Sequence, residues 1–311
     1  MDIPDLDVLD LSILVRVIDA GGVTRAAEAL YVSQPAVTQR IRRLERALGA
    51  RLVERDGRQL VLTAAGRAVL PLARQTLQVL GLMPAAISEV QGVVRGDIVI
   101  GASTTIGEFL LPKRLSSFGT AYPHVVVRLH ISNTQAIIER VLDRVLHVGF
   151  VGLRPSHSLL VAAPLAADAI VLVAAASHPL AGRRLSAKDL ARTRLLLREE
   201  GSATRDLATQ ALVRCGVDAG SAVGFGSNAA VRTAVLASYG VAALSREVVR
   251  DDLAQGRMAV LRLPGWHCQR RFYTIRRRDR KLAAAEELLL KFVQGEDQTT
   301  THRTPRPTRR T

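Results

Sequence analysis

The sequence predicts two folded parts of different class: an N-terminal all-α winged helix-turn-helix unit with a linker helix, and a C-terminal α/β domain of two lobes. Three observations predict it. Two short helical patterns meet at a tight break within Thr24–Leu48, a two-residue turn signal follows at Asp56-Gly57, and from Gly96 onward strand and helix patterns alternate.

Leu6, Leu9, Ile13 and Val17 recur at helical spacing, and Gly21-Gly22 ends that first helix. Thr24–Leu30 is a second helix with Ala26, Ala27 and Leu30 on one side. Ser33 is an N-cap residue and Pro35 falls in a first turn, where a missing N–H costs nothing. Val37, Ile41, Leu44 and Leu48 then form a buried stripe, and Gln34, Thr38, Gln39 and Arg42 occupy the opposite face. Amide, hydroxyl and guanidinium groups on the N-terminal half of such a helix match the donor and acceptor pattern of base edges in a major groove. Arg51–Arg55 and Gln59–Leu62 flank Asp56-Gly57 as a hairpin, which places Arg55 and Arg58 at a wing tip suited to phosphates or the adjacent minor groove. A short helix pair with a solvated polar face is common, so the wing and the local charge carry the reading.

Thr63 caps the next helix, in which Val69, Leu72, Thr76, Val79, Met83, Ile87 and Val90 approximate a coiled-coil seam. A second copy of the chain is the partner such a seam needs. Pro71, Gly81 and Pro84 oppose a straight helix, because an interior proline costs ~3 kcal/mol, so a kinked or broken linker helix is expected. Beyond it, strands are expected at 97–101, 125–130, 147–151, 170–175, 194–197, 223–226, 241–244 and 272–276. Helices are expected at 109–120, 135–146, 204–215, 228–237 and 282–292. Two α/β units with a crossover and a return describe a two-lobed binding fold with its ligand at the strand ends.

The 311 residues carry a formal net charge of +15, and only four of the 43 basic side chains are lysine: Lys113, Lys188, Lys281 and Lys291. Eight arginines fall between Arg40 and Arg67 against three acids, where phosphate contacts are needed. No apolar run approaches the ~18 residues of a membrane helix. The acidic start MDIPDLDVLDLS is unlike a signal peptide, so a cytoplasmic protein without membrane contact is expected. Cys215 and Cys268 form no CxxC, and the seven histidines form no cluster, so neither metal nor cofactor is expected. GASTTIG lacks the Lys-Ser/Thr of a phosphate loop, Gly224-Phe-Gly226 is too short for a dinucleotide fingerprint, and no GxSxG occurs, which argues against an enzyme.

The run TRAAEALYVSQPAVTQRIRRLERALGARLVERDGRQLVLTAAG resembles the LysR-type transcriptional regulators. GASTTIGEFLLP, Asn133-Thr134, REEGSATR and FYTIRRRDR are similar to the subgroup that includes Calvin-cycle and cysteine-pathway regulators. The resemblance implies a periplasmic-binding-protein-like effector domain and a homodimer or dimer of dimers on a dyad operator in double-stranded DNA. It also implies a small-molecule effector between two subdomains, and it allows RNA polymerase as a further partner. The family's DNA-contact positions fall on Gln34, Pro35, Thr38 and Arg55, and Ser33 to Arg42 is the stretch expected to read DNA. Gln39 stands where many members are basic, and Arg40 is the substitute phosphate contact. Ser103, Thr104 and Thr105 resemble the ligand-contacting segment, with Ser202, Thr204 and Arg205 opposite, Asn133 and Thr134 beside them, and Phe150 facing the cleft. Hydroxyls, helix N-termini and an arginine suit a small anion. Arg144 and His147 stand where the family usually has Gly and Asp, and Ser238-Tyr239 replaces a Gly-rich helix end.

The expected organisation is a DNA-binding domain at 1–62, a linker and dimerisation helix at 63–94, an effector domain at 95–294 and a disordered basic tail at 295–311. One effector lobe comprises 95–167 plus 268–294, the other 168–267. Two alternatives stay open: a redox-sensing regulator using Cys215 and Cys268, and a non-specific basic DNA-binding protein.

Overall fold

The computed structural model describes residues 6–56, 59–90 and 94–295. Arg58, the Gly57 half of the wing turn and the tail expected to be disordered lie outside the described residues, except for Gly295.

The chain divides into two compact units. In the first, α1 (Val8–Asp19), α2 (Val23–Leu30) and α3 (Gln34–Leu48) are followed by the antiparallel hairpin β1 (Val53–Asp56) and β2 (Gln59–Leu62) and by α4 (Ala64–Val90). Leu14, Val17, Ala26, Val37, Ile41, Leu44, Leu52 and Leu70 share one core, so each helix buries the stripe its spacing predicts. Tyr31 closes α2 in the left-handed conformation, and Ser33 then caps α3 by accepting the Ala36 N–H at 3.3 Å. α4 is unbroken although Pro71 and Pro84 lie inside it. Each proline deletes one ladder bond, but Leu70 and Ala73 are buried against the first-unit core and Arg74 pairs with Asp19 on α1. Leu72, Val79, Met83 and Ile87 on its other side are each more than half exposed.

The second unit is a nine-stranded sheet in the order β4-β3-β5-β11-β6-β9-β7-β8, with β10 also on β6. Its elements are β3 (Gly96–Ser103), a π-helical turn (Ile106–Leu110), α5 (Leu111–Ala121), β4 (Val125–Ser132), α6 (Thr134–Leu142), β5 (Val148–Val151) and β6 (Leu160–Ala175). There follow α7 (Ala187–Ala191), β7 (Leu195–Arg198), α8 (Ala203–Arg214), β8 (Val223–Phe225), α9 (Asn228–Leu236) and β9 (Val241–Ser245). α10 (Arg246–Ala254), β10 (Met258–Val260), β11 (Gln269–Arg277) and α11 (Ala284–Gln294) complete it.

Helices cover both faces of the sheet, which is why LLL of β7 and VAAL of β9 are continuously apolar. Leu172, Leu197, Leu212 and Val241 fill one side of the second lobe, and Val173, Leu196, Val231 and Leu244 fill the other. The first lobe packs Ile98, Ile100, Phe118, Phe150 and Phe272 on one side and Ile137, Val141 and Ile275 on the other. β6 crosses between the lobes: residues 160–169 pair with β11, and 170–175 pair with β9 and β10. Its first half, α7, α10 and β10 are absent from the sequence expectation.

Candidate functional site

The α3 face opposite the core carries Gln34, Pro35, Thr38, Gln39 and Arg42, with Arg46 and Arg51 continuing the same concave surface. Gln34, Pro35, Gln39 and Arg42 are exposed and Thr38 is half-buried. In the sequence Arg46 and Arg51 stand out only as part of the local arginine excess, although Arg46 lies four residues beyond Arg42 and so shares its face. Ser33 spends its hydroxyl on the helix cap, and Arg55 is exposed on β1.

Arg40 corrects the expectation. Its guanidinium lies 2.7 Å from Asp7 and 3.0 Å from Asp10, at the start of α1 and on the side of α3 turned from the reading face. The Leu9 N–H and then Arg40 hold the Asp7 carboxyl below its ordinary range. Arg40 therefore ties α1 to α3, and its guanidinium is committed to two carboxylates where the sequence reading expects it free for a phosphate.

In the second unit, Ser103, Thr104, Thr105, Thr134, Ser202 and Thr204 converge where the lobes meet, around a void of about 10 Å³, close to the space of one water. Two arginines that the sequence reading missed complete the lining, Arg198 at the end of β7 and Arg270 on β11. Arg270 donates from Nε to Asp168 at 2.7 Å and from Nη1 to Thr204 Oγ1 at 3.0 Å. Its Nη2 is buried and has no partner among the described residues. Burial pulls the guanidinium below its ordinary value, and the Asp168 charge opposes that shift. Gly152 makes room for it, since a Cβ there would lie 3.1 Å from Arg270 Nη1 and 3.1 Å from Ala203 Cβ.

Three expected ligand contacts stand elsewhere. Phe150 is wholly buried in the first-lobe core, because successive strand side chains alternate in face and β5 is covered on both; the nearby position that meets Arg270 is Gly152. Asn133 caps α6 through the Ala136 N–H and donates to the Glu200 carbonyl at 3.3 Å. Arg205 donates to the Arg198 carbonyl at 2.9 Å and lines a surface groove on α8 with Asp206, Thr209 and Asp218. The guanidinium groups that line the void are those of Arg198 and Arg270, and that of Arg205 is not among them. For Arg198 the REEGSATR run was the signal, read from its wrong end.

The departures at the Gly-like positions have a backbone consequence. Arg144 and Ser238 both adopt left-handed φ values, 60° and 59°, a conformation that favours glycine. His147 Nδ1 contacts Glu286 Oε1 at 2.7 Å. Cys268 is buried with its thiol 3.6 Å from the Leu207 carbonyl, and burial pushes its pKa up, the reverse of what a reactive thiolate needs.

A winged reading helix followed by a two-lobed domain with a polar, arginine-lined cleft defines a class of protein, the effector-responsive DNA-binding regulators of transcription. Within that class the chain belongs to the LysR family. Residues 9–67 match the bacterial regulatory helix-turn-helix protein, lysR family, and residues 91–298 match the LysR substrate binding domain. The chain is similar to the RuBisCO operon transcriptional regulator of Allochromatium vinosum, 32% identical over 278 residues that cover 88% of this chain and 90% of that one. Its fold is similar to that of full-length CbnR complexed with target DNA, at 24% identity, a TM-score of 0.63, and coverage of 93% of this chain and 99% of the other. It is also similar to the Synechocystis PCC6803 CcmR regulatory domain in complex with 2-PG, at 23% identity, a TM-score of 0.59, and coverage of 66% and 99%. No described helix is long and apolar enough to cross a membrane.

Proposed function

We propose that the protein acts in the cytoplasm as a homodimer or dimer of dimers. It reads a dyad operator through Gln34, Thr38, Gln39 and Arg42, with Arg46, Arg51, Arg55 and Arg58 on phosphates, and it answers to a small anion held between the effector lobes. It performs no turnover, and contact with RNA polymerase belongs to the operator-bound form. The observation that carries the ligand reading is Arg270 Nη2: a buried guanidinium donor with no hydrogen-bond partner among the described residues, beside six hydroxyl-bearing side chains at one void. An unmet buried donor of this kind is costly, and an oxyanion would satisfy it. The similar CcmR domain holding 2-PG supports a small ligand in this domain. The half-exposed apolar stripe of α4 supports a second copy as partner.

Footprinting on the chain's own upstream DNA, with and without a panel of small anions that includes 2-PG, tests both halves. One protected dyad, bound roughly 10³-fold or more above random DNA, with a footprint that an anion alters, is the expected result. Equal affinity for all DNA would overturn the operator reading in favour of non-specific basic binding. A footprint and a melting temperature untouched by every anion would overturn the ligand reading.

A further inference from the structure

The two cleft arginines differ in what they have left to give. Arg270 keeps one buried donor without a hydrogen-bond partner among the described residues. Arg198, 1% exposed, makes four hydrogen bonds: Nε and Nη2 to the two carboxylate oxygens of Glu199 at 2.7 and 2.8 Å, Nη2 to Thr104 Oγ1 at 2.7 Å, and Nη1 to Asn228 Oδ1. Each arginine also has its own carboxylate, Asp168 for Arg270 and Glu199 for Arg198. The two carboxylates are unlike in freedom. Asp168 is 1% exposed at its side chain and also accepts from Ser245, whereas the Glu199 side chain is 27% exposed and has solvent to move into. A third acid, Glu108, stands behind Asn228 at 3.2 Å from its amide nitrogen.

We propose that Glu199 is the specificity-determining residue of this site, an internal competitor for Arg198 that filters ligands by charge. The inference rests on the anion reading of the cleft. With both guanidinium groups already paired to a carboxylate, an entering anion meets no net positive charge, and every negative charge it carries is opposed by Asp168 on Arg270 and by Glu199 on Arg198. The void as it stands has room for about one water, so the lobes must part to admit any oxyanion, and a singly charged one then satisfies Arg270 Nη2 against the smaller electrostatic opposition. A doubly charged one is held off unless Glu199 releases Arg198 to it.

The release would not be silent. Glu199 heads the segment through which the second lobe grips the first. Asn133 Nδ2 donates to the Glu200 carbonyl at 3.3 Å, and the Gln135 N–H donates to the Gly201 carbonyl at 3.1 Å. Gly201 permits that grip: its φ is +77°, and a Cβ would lie 3.1 Å from Asn133 Nδ2. The residue that sets the charge filter therefore also leads into the contact that joins the lobes.

The test is calorimetric titration of the full chain with sulfate, doubly charged, and methanesulfonate, singly charged with similar oxygen geometry. Wild type, Glu199→Gln, and the paired variant Asp168→Asn/Arg270→Gln, which leaves no lone buried charge, are compared. Because the opposing energy scales with ligand charge, Glu199→Gln should tighten methanesulfonate about tenfold and sulfate about a hundredfold, the square of that factor. Equal factors for the two anions, or weaker binding of either, would overturn the role of Glu199 while leaving the cleft reading intact, provided the paired variant has lost binding. If neither anion saturates wild type or Glu199→Gln, or if the paired variant binds like wild type, the cleft reading itself fails and the proposal fails with it.

Discussion

Arg270 on β11 stands directly opposite Asp168 on β6 in the strand register, and its Nε lies 2.7 Å from the Asp168 carboxylate in a fully buried ion pair. Breaking such a pair from one side strands a charge in the interior. Arg270→Met should therefore destabilise the effector domain by about 3–5 kcal/mol, whereas the neutral pair Asp168→Asn/Arg270→Gln should cost far less. Urea unfolding of the three proteins checks this; similar losses for single and paired variants would show that the ion pair is not what holds the two strands together there.

The recognition unit separates three kinds of arginine and amide. Gln34→Ala should cost about 1–3 kcal/mol of operator binding and relax sequence preference. Arg55→Ala should weaken all DNA evenly and lower the salt slope by about one. Arg40→Ala should leave the salt slope unchanged and lower the melting temperature instead, because its partners are Asp7 and Asp10. Binding isotherms at several salt concentrations, beside thermal melts, distinguish the three; a reduced salt slope for Arg40→Ala would return that residue to the DNA surface.

Met83 and Ile87 lie one helical turn apart on the exposed stripe of α4. Placing a charge at Ile87, as in Ile87→Glu, should dissociate the assembly without unfolding the chain, since the side chain is 61% exposed. Sedimentation measures the mass, and an unchanged mass would move the interface elsewhere.

Glu286 is set up for acid sensitivity. Burial alone would raise its pKa, but hydrogen bonds from His147 and Arg280 prevail and lower it from 4.5 to about 2. A carboxylate depressed in the folded state contributes stability that is complete above its unfolded value and is lost as pH falls through the folded one. The window here runs from about 4.5 down to about 2, and the loss is on the order of 3 kcal/mol. Denaturation curves between pH 6 and 2.5, on the order of one Glu titration wide, should show a shallower decline for Glu286→Gln than for wild type. Parallel declines would remove Glu286 from the acid response.

The parts of the fold that could be read from residues alone are those whose signal is local. Ser33, Pro35 and the stripe Val37, Ile41, Leu44 announce α3 within a dozen positions, and most strands of the second unit are short apolar runs between turns. What escaped depends on distant partners. The first half of β6, LVAAPLAAD, has a proline and little β-branched character, and it is a strand because β11 pairs with it more than a hundred positions away. Arg270 sits in an arginine-rich stretch that looks solvated, and only the arrival of Asp168 and Thr204 turns it inward. Phe150 failed for a related reason: β5 is covered on both faces, so alternation does not tell which side meets the cleft.

The 16-residue β6 belongs to two cores at once. Leu160 and Ala162 pack into the first lobe, while Ile170, Leu172 and Ala174 pack into the second. A strand owned jointly ties the fates of its owners: neither lobe can lose its sheet without unpairing an edge of the other. The effector domain should melt as one cooperative body, and anything that grips the cleft would be felt as stability across the entire domain.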